Sequence, residues 1–184
     1  RCYGIDFSEN LINIAKKKSK NINYYCLDMS QLKNKFKKNI KFDYIITKRS
    51  IQNLTSWSKQ KKFINQLKFF SNVRTKILLM ESSSLGLGKI NDMRKQLGLK
   101  VIIKPWHNLY LNDEKLKQTN FDDLKLIGIE ELFSSYYFTS RVLNAAINKN
   151  PKYNDLLNLI GWKIPQNLIE GFSQLKLYKF KLKK

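Results

Sequence analysis

The stretch Cys2–Leu11, "CYGIDFSENL", decides how the rest of the chain is read. An apolar run ends in Gly4-Ile5-Asp6, and a helix follows at once. Ser8 is placed to cap that helix and Glu9 suits its positive end. Leu11, Ile12, Ile14 and Ala15 make one apolar face over residues 8–18, closed by Lys16, Lys17 and Lys18. A carboxylate therefore stands at the end of a strand, almost at the first residue.

The same unit recurs down the chain. Ile22–Leu27 predicts a second strand ending at Asp28, and Phe42–Thr47 ("FDYIIT") a third. Ser56 or Ser58 then opens a helix with Phe63, Ile64, Leu67 and Phe70 on one side. Ile77–Met80 predicts a fourth strand, ending at Glu81. Gly86 and Gly88 precede a helix that carries Ile90, Met93 and Leu97 and is stopped by Gly98. Leu124–Ile129 reads as a fifth strand, and 130–148 as helical or irregular. Asn150-Pro151 supplies an N-cap and a Pro at the first helical position, with Leu156, Leu157 and Ile160 as the apolar side and Gly161 as the end. Tyr178, Phe180 and Leu182 alternate with lysines, which predicts a half-exposed strand at or near an antiparallel edge.

Strands and helices alternating at these spacings predict an α/β fold, a doubly wound Rossmann-like sheet. It is mostly parallel, with an antiparallel last strand. No internal repeat and no Gly-, Pro- or Ser-rich linker divides the 184 residues, so a single domain over 1–184 is expected. Ligands of such sheets bind outside the carboxyl ends of the strands. Attention falls on Asp6, Asp28, Thr47-Lys48-Arg49 and Glu81-Ser82-Ser83.

The bulk composition narrows the classes. A hydrophobic fraction of 42% with 11 Phe, 9 Tyr and 3 Trp is far from a solvated, disordered tail. No apolar run reaches a membrane span of roughly 18 residues. Cys2 and Cys26 fall in predicted strands and read as buried free thiols of a reducing compartment, hence a cytoplasmic location. The net charge of +21 suggests anionic ligands. It does not by itself favour nucleic acid, because 30 Lys stand against 5 Arg, and the bidentate fork of Arg is what grooves recruit. The lysines are also spread, in runs at Lys16–Lys18, Lys33–Lys38, Lys59–Lys62 and Lys179–Lys184. No Cys/His cluster or group of carboxylates has the spacing of a metal site.

An acid after a strand of a nucleotide-binding sheet has a physical job. Asp6 is placed to accept from both hydroxyls of a ribose. Asp28, one strand on, is placed to accept from the exocyclic amine of adenine, with Met29 packed on the ring. The plainer reading of each is a helix-capping or turn acid without a ligand. The two together, at successive strand ends with a helix between, are stronger than either alone.

Taken in order, "CYGIDFSENLINIAKKK…INYYCLDMSQL…FDYIITKRSIQNL…KILLMESS" resembles a class I S-adenosylmethionine-dependent methyltransferase. The resemblance implies S-adenosylmethionine as cofactor, with Asp6 as its ribose clamp and Phe7 near the adenosine. It puts Asp28 and Met29 at the adenine, and Thr47 and Lys48 at the methionine end. It covers residues 2 to about 82 well, and 83–184 more loosely. "SIQNL" stands where the family has a "vLxHL" helix, so Gln52 or Asn53 replaces its usual His. The family's first strand and its "ExGCGxG" loop have no counterpart. The expectation is a sheet without its first strand, and a fragment that binds cofactor weakly or not at all by itself.

Residues 83–184 are expected to carry the acceptor-binding insertions. His107, the one histidine, follows a strand region and reads as a general base or as a surface histidine. Trp106 and Tyr110 flank it as candidate pocket walls. Arg141, after "YYFTS", joins Arg49 and Lys48 as candidate ligands for a carboxylate or phosphate of the acceptor. The function expected is methyl transfer to an O or N atom of a small molecule or sugar-type metabolite. The rivals are an RNA methyltransferase and a non-enzymatic basic binding domain on a degenerate nucleotide fold. A NAD-linked oxidoreductase suits Asp6 but not Asp28 or "FDYIITKR".

Overall fold

A computed structural model describes residues 1–36 and 40–183. Lys37, Lys38 and Lys184, in two of the lysine runs, lie outside them. The chain begins β1 (Cys2–Asp6), α1 (Glu9–Lys18), β2 (Ile22–Cys26) and a short α2 (Leu32–Lys35). Next come β3 (Tyr44–Lys48), α3 (Trp57–Gln66), β4 (Lys76–Ser82) and α4 (Ser84–Gln96). The remainder is α5 (Asp113–Gln118), β5 (Leu124–Leu132), α6 (Ser134–Phe138), a π-helical turn (Thr139–Leu143), α7 (Asn144–Ile147), α8 (Leu156–Lys163) and β6 (Leu175–Leu182).

The caps are the ones the sequence supplies. Ser8 Oγ accepts from the Leu11 amide at the start of α1, and Ser56, not Ser58, caps α3 through the Lys59 amide. Gly98, at φ 68°, turns the chain out of α4 in the left-handed region that glycine tolerates.

The strands form two sheets. β1 and β2 pair in parallel, with Asp6 beside Cys26. The second sheet runs β3-β4-β6-β5. In it β3 and β4 pair in parallel, and β6 runs antiparallel to both β4 and β5. No ladder hydrogen bond joins β1 to β3; an aromatic cluster links the sheets instead. Tyr3 of β1 meets Phe42 edge-on at 5.5 Å between ring centres, and Phe36 meets Phe70 at 6.2 Å. The core lies against the larger sheet, where Ile64, Leu67, Ile77, Leu79, Leu111 and Tyr178 are all at most 1% exposed.

Four local expectations are corrected and one is met. Gly86 and Gly88 lie inside α4, because Ser83 caps it early by accepting the Gly86 amide at 3.1 Å. Asn150-Pro151 opens no helix: the Asp155 carboxylate fastens a turn by accepting the Lys152 amide at 2.6 Å, and α8 begins at Leu156 and runs through Gly161. The alternation in β6 is met: the strand lies next to the antiparallel edge strand β5, with Tyr178 and Phe180 buried and Lys179 and Lys181 turned to the more exposed face. Of the apolar face of α1 only Ile12 is buried, while Leu11 and Ile14 are about half exposed, since two strands are too narrow a floor to cover it. Cys2 and Cys26 are free but exposed, for the same reason.

Candidate functional site

The candidate residues stand at the carboxyl ends of the strands. At the end of β1 the half-buried Asp6 accepts the Ser8 amide on Oδ1 at 2.8 Å. At the end of β2 the exposed Asp28 accepts the Ser30 amide on Oδ1 at 2.7 Å. That backbone hydrogen bond holds the Asp28 carboxyl below its ordinary range. Among the described residues no group donates to the second oxygen of Asp6, and the Ser30 hydroxyl adds to the lowering at Asp28. Met29 is half-buried against the core, and its carbonyl accepts from Gln66 at 3.0 Å. An open groove of about 780 Å³ begins at Asp28, Met29 and Ser30 and runs past Leu54 along α3 to Lys59 and Phe63. Phe7 projects, 76% exposed.

At the ends of β3 and β4 the chain makes a tight knot. Glu81 is fully buried, and burial pushes its carboxyl above the ordinary range. Its Oε1 accepts the Thr47 hydroxyl at 2.7 Å and the Ser50 amide at 3.1 Å, and Oε2 takes the Gln52 amide at 3.4 Å. Gln52 is 3% exposed and its Oε1 has no partner among the described residues. Lys48 and Arg49 are exposed, and Arg49 sits at φ 53°, a strained conformation for a side chain of its kind.

The 105–111 segment docks onto this knot. The Leu109 amide donates to the Gln52 carbonyl at 2.7 Å, and the Leu111 amide to that of Ser82 at 2.9 Å. Tyr110 is thereby buried, and its hydroxyl accepts from Gln174 Nε2 at 3.0 Å. Gln174 Oε1 in turn accepts from Arg141, whose guanidinium lies 5.0 Å over the Tyr137 ring. Burial raises the Tyr137 phenol, and the charges of Arg141 and Arg49 oppose that shift. Tyr110 and Arg141 are thus linked through Gln174, and the charges of Arg49 and Arg141 both bear on Tyr137. Trp106 and His107 do not join them by any hydrogen bond or ring contact. Both are exposed, Trp106 to 92%, and their rings meet only each other, edge-on at 5.5 Å.

No family model matches the chain, and no curated protein matches it. Solved structures do. One is an S-adenosylmethionine-dependent methyltransferase from Clostridium acetobutylicum, 12% identical, with a TM-score of 0.58 over 99% of this chain and 75% of that one. The CcbJ methyltransferase from Streptomyces caelestis, 8% identical, superposes equally well at 0.58 over 99% of this chain and 74% of its own. The N-methyltransferase NodS from Bradyrhizobium japonicum, bound to S-adenosyl-L-homocysteine, gives 0.53 at 10% identity, over 99% and 66%. The fold is that of a class I methyltransferase.

On that methyltransferase fold the antiparallel β6, lodged between β4 and β5, sets Gln174 and Leu175 beside Ser83 and Ser82, next to the knot. Two groups at this end escaped the sequence reading as site residues, Tyr137 and Gln174, while Glu81 stood among the strand-end candidates. Glu81 had a signal, since it ends an apolar strand. Gln174 had none, because tertiary packing alone brings it to Arg141, whereas Tyr137 stands four residues before Arg141 in the same helical run. Among the described residues no group of His, Cys, Asp and Glu is arranged to hold a metal, and no helix is long and apolar enough to cross a membrane.

Proposed function

We propose that this chain binds S-adenosylmethionine and directs its methyl group to an O or N atom of a small-molecule or sugar-type acceptor. One observation carries the reading. Asp6 and Asp28 close two adjacent parallel strands, each has one carboxylate oxygen held in place by a local amide, and Asp6 presents the other. A ribose diol suits the first and an exocyclic amine the second. The groove beginning at Asp28 and Met29 offers room for a planar base beside them.

Fit at the methionine end differs by residue. The Thr47 hydroxyl is already engaged by Glu81, so Thr47 positions the knot rather than a ligand. The unpartnered Oε1 of Gln52 is a buried acceptor at the same end, suited to an ammonium or amine N–H. Lys48 and the projecting Phe7 border the two ends of the cofactor in this reading.

When bound, the cofactor supplies an electrophilic methyl on a sulfonium. The residues then have little covalent work to do: they orient the acceptor in line with that methyl. His107, exposed and in ring contact only with Trp106, takes no part in this reading, so His107→Gln should leave the rate unchanged.

Calorimetric titration with S-adenosylhomocysteine tests the proposal. Saturable binding that Asp6→Ala weakens by about tenfold or more is expected. A folded full-length protein that takes up none of it overturns the reading.

A further inference from the structure

Arginine is scarce in this chain, 5 residues against 30 lysines, yet Arg94 braces the turn that sets Arg141 over Tyr137, and the charge of Arg49 bears on the same ring. Arg141 lies in the π turn Thr139–Leu143, set between α6 and α7. Such turns interrupt the helical ladder and recur where a side chain must be aimed. Its Nη1 donates to Gln174 Oε1, Gln174 Nε2 donates to the Tyr110 hydroxyl at 3.0 Å, and Gln174 and Tyr110 are only 7% and 9% exposed. This is a supported guanidinium, held by buried polar groups over the Tyr137 ring. Arg94 works from behind. Its Nε donates to the Lys100 carbonyl at 2.7 Å and its Nη1 to the main-chain carbonyl of Arg141, so it fixes the turn.

Arg49 approaches from the end of β3. Its amide donates to the Met80 carbonyl at 2.8 Å, and its φ of 53° shows a backbone bent to hold that place. Among the described residues, no carboxylate lies within ion-pair distance of any of these three arginines. The nearby acids are engaged elsewhere: Glu81 is turned inward to Thr47, Ser50 and Gln52, and Asp113 to Ser83, Tyr178 and Lys176. Cations gathered without a counter-charge repel one another until an anion joins them, and planar guanidiniums grip carboxylate and phosphate oxygens best.

We infer that Arg49 and Arg141 bind a carboxylate or phosphate group carried by the methyl acceptor, with Tyr110 and Tyr137 as its walls. The inference rests on the methyltransferase reading for the word acceptor, but not for the anion site.

Arginine side-chain NMR, with benzoate, phenyl phosphate and L-methionine as probes, tests it without cofactor. The Arg49 and Arg141 signals should move saturably with benzoate or phenyl phosphate, and which of the two binds tighter separates carboxylate from phosphate. Arg49→Gln and Arg141→Gln should each weaken capture by about tenfold. Arg141→Lys should restore it only partly, and Arg74→Gln, on a distant turn, should leave it unchanged. Arg49 is exposed, so its variant keeps the test valid if the Arg141 variants do not fold. Immobile Arg49 and Arg141 signals overturn the inference, as does equal weakening by Arg74→Gln. Capture of L-methionine alone assigns the arginines to the cofactor's carboxylate and also overturns it. Anion capture by a full-length protein that binds no S-adenosylhomocysteine overturns the methyltransferase reading and, with it, the acceptor's role.

Discussion

The hydroxyl of Thr47 donates to Glu81 across 2.7 Å, bridging the ends of two neighbouring strands. Thr47 and Glu81 thereby fix the loop from which Arg49 and Gln52 project. The bridge has a pH signature. Burial raises the Glu81 carboxyl in the native state above its ordinary 4.5. The native protein thus holds that proton more tightly than the unfolded chain, and its stability from this group falls as pH rises above about 4.5. Glu81→Gln removes the titration. The stability difference between variant and parent should shift in the variant's favour as pH climbs from 4.5 towards neutrality. Urea denaturation at a series of pH values checks it; a difference that stays flat refutes it.

The buried pair Asp113–Lys176 should tolerate removal together and not singly. Lys176 Nζ lies 2.7 Å from Asp113 Oδ2, while Oδ1 accepts from the hydroxyls of Ser83 at 2.8 Å and Tyr178 at 2.7 Å. Asp113→Ala leaves a buried ammonium with only Glu131, 3.3 Å away, and two hydroxyls unpaired. The expected loss is about 3–5 kcal/mol. The double variant Asp113→Leu, Lys176→Met should recover much of it. Denaturation midpoints at unchanged m-value decide the matter.

Two glycines of α4 should respond in opposite directions to alanine. A Cβ on Gly86 would fall 1.8 Å from the Ser173 carbonyl oxygen, so backbone must move, whereas Gly88 faces open space. Gly86→Ala should destabilise by about 2–3 kcal/mol. Gly88→Ala should stabilise by about 1 kcal/mol, the helix propensity difference. Thermal unfolding of the two variants side by side reads both signs.

The strand ends were legible because each is marked by local chemistry: an apolar run, then an acid or a capping serine, as at Asp6-Phe7-Ser8 and Asp28-Met29-Ser30. The adenosine side of the candidate site came with them. What was not legible depends on partners distant in sequence. Ser83 outcompetes Gly86 and Gly88 for the helix start because it is held in place by Asp113, 30 residues on. Asn150-Pro151 has the right cap residues but loses to Asp155, whose carboxylate also takes Asn144 at 3.0 Å. Arg141 and Tyr110 were singled out from their types alone; the link between them, Gln174, comes from the next-to-last turn of the fold. Trp106 and His107 have the composition of a pocket wall, but the turn at Pro105 carries them outward.

The pairing of β1 with β2 alone makes this end of the molecule a separate cooperative unit. A two-stranded ribbon under a half-covered helix is only marginally stable without its neighbours. It is tied to the larger sheet by rings, Tyr3 on Phe42 and Phe36 on Phe70, with no shared ladder. The ribbon should therefore open by itself, well below the free energy of global unfolding. In native-state hydrogen exchange, the amides of Gly4–Asp6 and Tyr24–Cys26 should exchange orders of magnitude faster than those of Ile77–Met80, and with little denaturant dependence. Asp6 and Asp28 ride on that breathing unit, so a ligand bridging it to the larger sheet would slow its exchange before altering any other part of the chain.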